Sequence, residues 1–311
     1  MNNAAQNDPE PYQPIHSATA HTLPIRGLSY HVWSWGDAGL VRPDRPATVL
    51  LHGWMDVGAS FQFLVDALAG TRYLLAPDWR GFGRTSRTTA DSYWFADYYA
   101  DLDALLDQLL PDQPIDLVGH SMGGNVATLY AGIRPSRIRR LVNLEGFGMP
   151  SPPSTEAPAR YAKWLDQLKH PRGLRPYPTL AAVAERLRSN NPRLRADRAA
   201  WLAQHWAAQG DDGQFHLRSD PAHKSVNPVL HRAEESLACW RAITAPVLMI
   251  EGRQTLTPAQ LSPHYTREEI EARLRHIPQL ERAWIDDCGH MLHHDQPEQL
   301  ATLIEHFLDR A

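Results

Sequence analysis

Short apolar segments alternate with amphipathic helical patterns along most of this chain, and this alternation restricts its fold more than any other feature. The sequence predicts strands at 28–35, 47–51, 72–76, 115–118, 138–144, 246–250 and 283–285. It predicts helices at 61–69, 93–110, 122–133, 267–276 and 297–309. Buried strands joined by helices indicate βαβ units. The chain is therefore expected to form a mostly parallel sheet flanked by helices.

The alternation stops after Gly146, where prolines 150, 152, 153 and 158 open a different stretch. Helical patterns follow at 161–168, 180–187 and 198–208, without a convincing strand. This stretch is predicted to be an all-helical cap inserted over the C-terminal edge of the sheet. The predicted division is a flexible arm at 1–24, a core at 25–146 and 236–311, and a cap at 147–235.

Composition excludes several classes of protein. With 31 Lys and Arg against 35 Asp and Glu, the chain lacks the basic surface typical of nucleic-acid binding. Its two cysteines exclude a disulfide scaffold and a four-cysteine zinc site. No apolar run approaches the roughly 18 residues of a membrane span, and the N-terminus does not have the pattern of a secretory signal. A cytoplasmic protein with a small-molecule partner is expected, and its oligomeric state stays open.

The segment Gly119-His120-Ser121-Met122-Gly123 lies where a predicted strand meets a predicted helix. In a nucleophile elbow, a serine occupies such a strained turn, and small flanking residues let the backbone double back. The N–H groups at the start of the helix then point at a developing oxyanion. Ser121 is therefore the candidate nucleophile.

The chain resembles the α/β-hydrolase superfamily in four segments, which appear in the family's order. They are His52-Gly53-Trp54, Asp78 to Gly83, Gly119 to Gly124, and Gly289-His290. The resemblance implies a sheet of about eight strands with a cap inserted after the sixth. It also implies that His290 is the general base, and that the backbone N–H groups of Trp54 and Met122 form the oxyanion hole.

The third catalytic residue departs from the family's commonest pattern. Many relatives carry an aspartate after the seventh strand, where this chain has Thr255. A hydroxyl cannot supply the negative charge that stabilises an imidazolium. Glu145, at the end of the sixth strand, is therefore the predicted acid, since that strand neighbours the one that ends at Ser121. The alternatives are Glu251, Asp286 or a carboxylate of the cap.

The remaining candidates concern the pocket and the histidines near the C-terminus. An aromatic cap predicts an enclosed, mostly apolar pocket, with Trp54, Trp164 and Trp201 on its wall. The cap also holds arginines at 186, 188, 193, 195 and 198, one of which is a candidate to meet an anionic group. His293 and His294 are interpreted as a solvated turn, so no metal site is predicted. Asp78 is predicted to be structural.

The sequence as a whole predicts a serine hydrolase that cleaves a carboxylic ester through an acyl-enzyme on Ser121, without a metal or organic cofactor. A serine at the elbow argues against epoxide hydrolase and haloalkane dehalogenase activity, which use aspartate there in this superfamily. The alternatives are a C–C bond hydrolase, a thioesterase or a lactonase with the same triad, or a slow-turnover ligand-sensing or partner-binding protein.

Overall fold

A computed structural model describes residues 10–256 and 265–310. Its central sheet has eight strands in the order β1-β2-β4-β3-β5-β6-β9-β10. The strands are β1 (Thr19–Ile25), β2 (Leu28–Trp35), β3 (Thr48–Leu51), β4 (Leu74–Pro77), β5 (Ile115–His120), β6 (Ile138–Leu144), β7 (Ala207–Gln209), β8 (Phe215–Leu217), β9 (Val247–Gly252) and β10 (Leu280–Ile285). β2 pairs antiparallel with β1 and β4, and the remaining pairs of this sheet are parallel.

Helices cover both faces of this sheet. They are α1 (Gln62–Ala67), α2 (Phe95–Leu109), α3 (Met122–Ile133), α4 (Ala157–Lys169), α5 (Leu180–Asn190), α6 (Ala196–Trp206), α7 (Ala233–Arg241), α8 (Arg267–Leu274), α9 (Leu292–Asp295) and α10 (Pro297–Leu308). Two large buried apolar clusters lie between helices and sheet. The expected mostly parallel sheet flanked by helices is confirmed. Within the described ranges, no helix combines the length and apolar character needed to cross a membrane.

The predicted flexible arm at 1–24 is wrong for its described portion. Residues 19–25 form β1, which pairs with β2 along its whole length. Further upstream, the Tyr12 hydroxyl donates to Asp66 Oδ2 at 2.9 Å, and the Tyr12 backbone N–H donates to the carbonyl of Asp197 at 3.0 Å. β1 is an edge strand in which only Ile25 is fully buried. It therefore does not show the apolar alternation by which half-buried strands are recognised.

The inserted segment, residues 147–235, is not all-helical as predicted. Besides the helices α4, α5 and α6, it contains a small antiparallel pair of strands, β7 with β8. These strands are only three residues long, too short to produce a periodic pattern, and β7 follows α6 directly. A bridge between Phe82 and Ser219 ties the segment to the loop that follows β4. The division into core and cap stays a prediction.

Candidate active site

Ser121 lies at the sharp turn between β5 and α3. Its backbone has φ +52° and ψ −113°, a conformation that non-glycine residues rarely adopt. The two glycines of the motif allow the turn to pack. A Cβ at Gly119 would lie 2.4 Å from the carbonyl oxygen of Gly123, and one at Gly123 would lie 2.1 Å from that of Leu51. The motif therefore has the geometry predicted for a nucleophile elbow.

His290 connects the elbow to a carboxylate. Its Nε2 lies 3.0 Å from Ser121 Oγ, and its Nδ1 lies 2.6 Å from Glu145 Oε2. His120, the neighbour of Ser121, donates through Nε2 to the backbone carbonyl of His290 at 2.8 Å and so holds the histidine loop against the elbow. The structure thus brings together the predicted nucleophile, base and acid in hydrogen-bonding order.

Glu145 follows the last residue of β6 and is fully buried. Its φ of +56° is again in the left-handed region, and its carboxylate reaches Gly252, the last residue of the neighbouring strand β9. Besides His290, the carboxylate accepts from the backbone N–H of Gly252 at 2.7 Å and from the hydroxyl of Thr255 at 2.8 Å. Thr255, which has the position of the commonest acid, is therefore a hydrogen-bond donor to the acid of the neighbouring strand.

The two other named carboxylates of the core face elsewhere. Glu251 is buried, and its Oε1 pairs with Arg267 at 3.1 Å and with Arg282 at 2.5 Å. Asp286 is an exposed residue that pairs with Arg253 at 2.9 Å. No carboxylate of the inserted segment lies on the described wall of the cavity above Ser121. Glu145 is thus the predicted acid that contacts the His290 ring.

The predicted oxyanion loop follows β3. His52 is fully buried, which lowers its pKa and keeps the ring neutral. Its Nε2 accepts from the Trp79 backbone N–H at 2.9 Å, and its Nδ1 donates to the Gly53 carbonyl at 2.7 Å. This neutral ring fixes the turn that carries Trp54. Met122 directly follows Ser121 as the first residue of α3. The two predicted N–H donors therefore belong to the loop after β3 and to the start of α3.

Asp78 has the structural role predicted for it. Its carboxylate accepts from the backbone N–H groups of Gly58 at 2.7 Å and Arg84 at 2.9 Å. His31 Nδ1 lies 3.0 Å from the same carboxylate. These contacts join the loops after β3 and β4 beneath the predicted oxyanion turn.

A cavity of about 950 Å³ opens above Ser121 and His290, between the sheet edge and the inserted segment. Trp54 lines it as predicted, but Trp164 and Trp201 do not, and Trp206 is the tryptophan of the segment that does. Trp201 instead packs edge-on against Phe63 with ring centroids 5.6 Å apart, because its face of α6 is turned toward the core. Periodicity alone could not tell which face of α6 meets the cavity.

The wall of this cavity is mostly apolar, as expected, and it also carries several basic side chains. Its described cations are Arg175, Arg186, Arg193 and Lys224, all of them exposed residues, and its described carboxylate is the buried Asp56. Of the arginines named in the sequence, 188, 195 and 198 are not on this wall. Arg198 is buried and donates to the carbonyl of His294 at 2.9 Å. The field in the cavity therefore favours an anionic ligand.

The interpretation of His293 and His294 as a solvated turn is wrong. Both side chains are buried beneath the site, within α9, and the ring of His293 lies beside that of His120. Asp56 joins them, with its Oδ2 3.6 Å from His293 Nε2. The sequence contains no signal for this group, because Asp56 follows β3 and is distant from His293 along the chain.

Comparison with known proteins agrees with the architecture. The family model for the alpha/beta hydrolase fold matches residues 46–297. The chain belongs to the α/β hydrolase family, as its resemblance to that family predicted.

Relatives with hydrolase names match over most of the chain. A 3-hydroxybutyrate-oligomer hydrolase of Cupriavidus necator is 29% identical over 295 residues, which cover 91% of this chain and 93% of the relative. A serine hydrolase-like protein of Dictyostelium discoideum is 25% identical over 85% of this chain and 74% of the relative. The solved thioesterase domain from the curacin biosynthetic pathway superposes with a TM-score of 0.78, at 26% identity, over 93% of this chain and 99% of the domain.

Proposed function

We propose that this protein hydrolyses a carboxylic ester through an acyl-enzyme on Ser121, with His290 as the base and Glu145 as the acid that orients it. The observation that carries the proposal is the continuous contact from Ser121 Oγ through the His290 ring to Glu145, at 3.0 Å and 2.6 Å. A serine activated by an oriented imidazole is the arrangement that acyl transfer requires.

The steps follow from this geometry. Ser121 Oγ attacks the ester carbonyl while His290 Nε2 takes the hydroxyl proton, and the imidazolium is stabilised by the Glu145 carboxylate. The N–H groups of Trp54 and Met122 hold the oxyanion of the tetrahedral intermediate. His290 returns the proton to the leaving alcohol as the C–O bond breaks. Water then attacks the acyl-enzyme by the same route, which releases the acid and restores Ser121.

The cavity wall supports a particular class of ester, one that carries a carboxylate. Four exposed cations line the cavity above Ser121, and the one described carboxylate of its wall, Asp56, is buried. Of the four, Arg193 lies 3.8 Å from Asp287, a carboxylate outside the described wall. The Cupriavidus relative named as a 3-hydroxybutyrate-oligomer hydrolase supports the same class, since such an oligomer is an ester with a free carboxylate at one end. We therefore propose short esters of hydroxy acids as substrates, with Arg186 and Arg193 meeting the carboxylate.

The test compares two esters with the same acyl and alcohol lengths, one neutral and one with a terminal carboxylate. The wild type should hydrolyse both and favour the carboxylated ester in kcat/KM. Arg186→Gln should lower kcat/KM for the carboxylated ester by about 10-fold or more, the worth of one hydrogen bond between charged groups. The neutral ester should be nearly unaffected.

Arg188→Gln is the matched control, because it makes the same change on the same helix, away from the cavity wall. Equal kcat/KM values for the two esters in the wild type would reject the carboxylated class and leave ester hydrolysis standing. Failure to cleave either ester, with turnover of a vinylogous diketone instead, would replace ester hydrolysis by C–C bond hydrolysis.

A further inference from the structure

Three buried side chains with metal-binding atoms converge behind the elbow: Asp56, His120 and His293. Their candidate ligand atoms all lie within 4.8 Å of one another, and each side chain is at least nine-tenths buried. They come from the three segments that carry the proposed chemistry. Asp56 follows Trp54 by two residues, His120 precedes Ser121, and His293 follows His290 by three residues.

Several polar atoms in this group have no hydrogen-bond partner among the described residues. Asp56 Oδ1 accepts from the Val57 N–H at 2.8 Å, but Asp56 Oδ2 accepts no hydrogen bond. His120 donates through Nε2 to the His290 carbonyl, so its Nδ1 presents an unused lone pair. Neither ring nitrogen of His293 forms a hydrogen bond. Leaving such atoms unpaired inside a protein costs about 1–3 kcal/mol each, and a bound cation would offset that cost.

We propose that these three side chains bind one divalent transition-metal ion of the zinc type, through Asp56 Oδ2, His120 Nδ1 and a ring nitrogen of His293. Two imidazoles and a carboxylate are donors that Zn²⁺ accepts. Bonds of about 2.0–2.1 Å in a tetrahedral site place neighbouring ligand atoms roughly 3.3 Å apart. The 3.6 Å between Asp56 Oδ2 and His293 Nε2 is close to that spacing and too long for a hydrogen bond.

Two further contacts fit a metal ligand set. A ligating histidine usually donates its second ring N–H to a carbonyl or carboxylate, and His120 does so to the His290 carbonyl at 2.8 Å. Asp56 and His120 also belong to the wall of the cavity above Ser121, so the proposed site lies next to that cavity. The ion would be a positioning element: it would tie the predicted oxyanion turn, the elbow and the His290 loop together without touching the substrate.

The test uses chelator-treated full-length protein titrated with Zn²⁺ by calorimetry and with Co²⁺ by visible absorption. The wild type should bind one equivalent, and Co²⁺ should show the intense visible bands of a four-coordinate site. His293→Asn and Asp56→Asn should lose this equivalent. His290→Asn should keep it, because His290 is no ligand in the proposed set.

His216→Asn is the surface control, since His216 and Asp212 form an exposed pair at 3.0 Å that could collect an ion adventitiously. This variant should keep the full stoichiometry. If a ligand variant fails to fold, the anomalous signal of zinc in soaked wild-type crystals decides the question without it. Density between Asp56, His120 and His293 supports the proposal. Zinc found only at His216 or His290, or no binding by the wild type, overturns it.

Discussion

Replacing Glu145 by glutamine changes the hydrogen bonding of the proposed triad while keeping its shape. Three donors point at the carboxylate: the His290 ring and the Thr255 hydroxyl at Oε2, and the Gly252 N–H at Oε1. An amide offers one oxygen and one NH₂ group, so it can accept hydrogen bonds at only one of the two positions that Oε1 and Oε2 now occupy.

Either orientation of the glutamine is unfavourable. If its oxygen stays at Gly252, the NH₂ group faces His290 Nδ1, which moves the imidazole proton to Nε2 and leaves no base for Ser121. If the amide is reversed, its NH₂ group meets the buried Gly252 N–H, where the carboxylate oxygen now lies 2.7 Å away. That clash costs about 1–3 kcal/mol. In both cases the imidazolium also loses its anionic partner.

We expect Glu145→Gln to lower kcat by about 10³–10⁴, by analogy with loss of the acid in serine protease triads. This corresponds to about 4–5.5 kcal/mol of transition-state free energy. The assay is steady-state hydrolysis of a short activated ester, with active-site concentration measured by a fluorophosphonate and folding by circular dichroism.

Two variants separate loss of chemistry from loss of structure. Asp286→Asn changes an exposed carboxylate and should retain nearly full kcat. Glu251→Gln disturbs a buried pair with Arg267 and Arg282. Its main expected effect is therefore a lower free energy of unfolding, with a smaller change in kcat per folded enzyme. Near-normal kcat in Glu145→Gln, together with a large loss in folded Asp286→Asn or Glu251→Gln, would refute the assignment of the acid.

The remaining predictions concern the nucleophile, the core and pH. Ser121→Ala should fold normally, lose nearly all esterase activity and escape fluorophosphonate labelling; full activity or labelling at another residue would exclude the serine mechanism. Asp101→Asn should destabilise the fold by about 3–5 kcal/mol in urea unfolding, because Asp101 is buried and paired with Arg80 at 2.6 Å. Burial lowers the pKa of His223 to about 3. The unfolded chain therefore binds an additional proton below pH ~6.5, and this residue alone should lower the free energy of unfolding by about 2 kcal/mol between pH 7.5 and 5. Urea unfolding curves across that range check this, and a stability independent of pH would contradict it.

The central sheet could be predicted because parallel strands covered on both faces are continuous apolar runs. The sequence therefore predicted β6 and α3 with their observed bounds, and β5 to within two residues at its end. β1 was missed because an exposed edge strand has a weak apolar pattern, and β7 with β8 because three-residue strands have no measurable period. The strands that could be predicted from the sequence are therefore the buried ones of sufficient length.

The residues of the candidate site likewise include some that could be predicted from the sequence and others that could not. Ser121 lies in a local motif, and the resemblance to the α/β-hydrolase superfamily implied the role of His290 and the strand order that led to Glu145, so all three were predicted from the sequence. The basic wall of the cavity and the cluster of Asp56 with His293 depend on tertiary contacts between distant segments. The choice of Trp206 over Trp201 depends on how α6 is rotated about its axis, which an amphipathic pattern rich in tryptophan does not determine.

The hydrogen bond between Thr255 and Glu145 constrains how the acid of such a site can move from one strand to another during evolution. An acid introduced by Thr255→Asp would replace a donor by a second anion beside the Glu145 carboxylate, where the present contact is 2.8 Å. Two carboxylates at that separation share a proton, which weakens both as partners of an imidazolium. The two positions are therefore expected to be acidic one at a time. A lineage that moves its acid from one strand to the other would lose activity with the first substitution and recover it with the second.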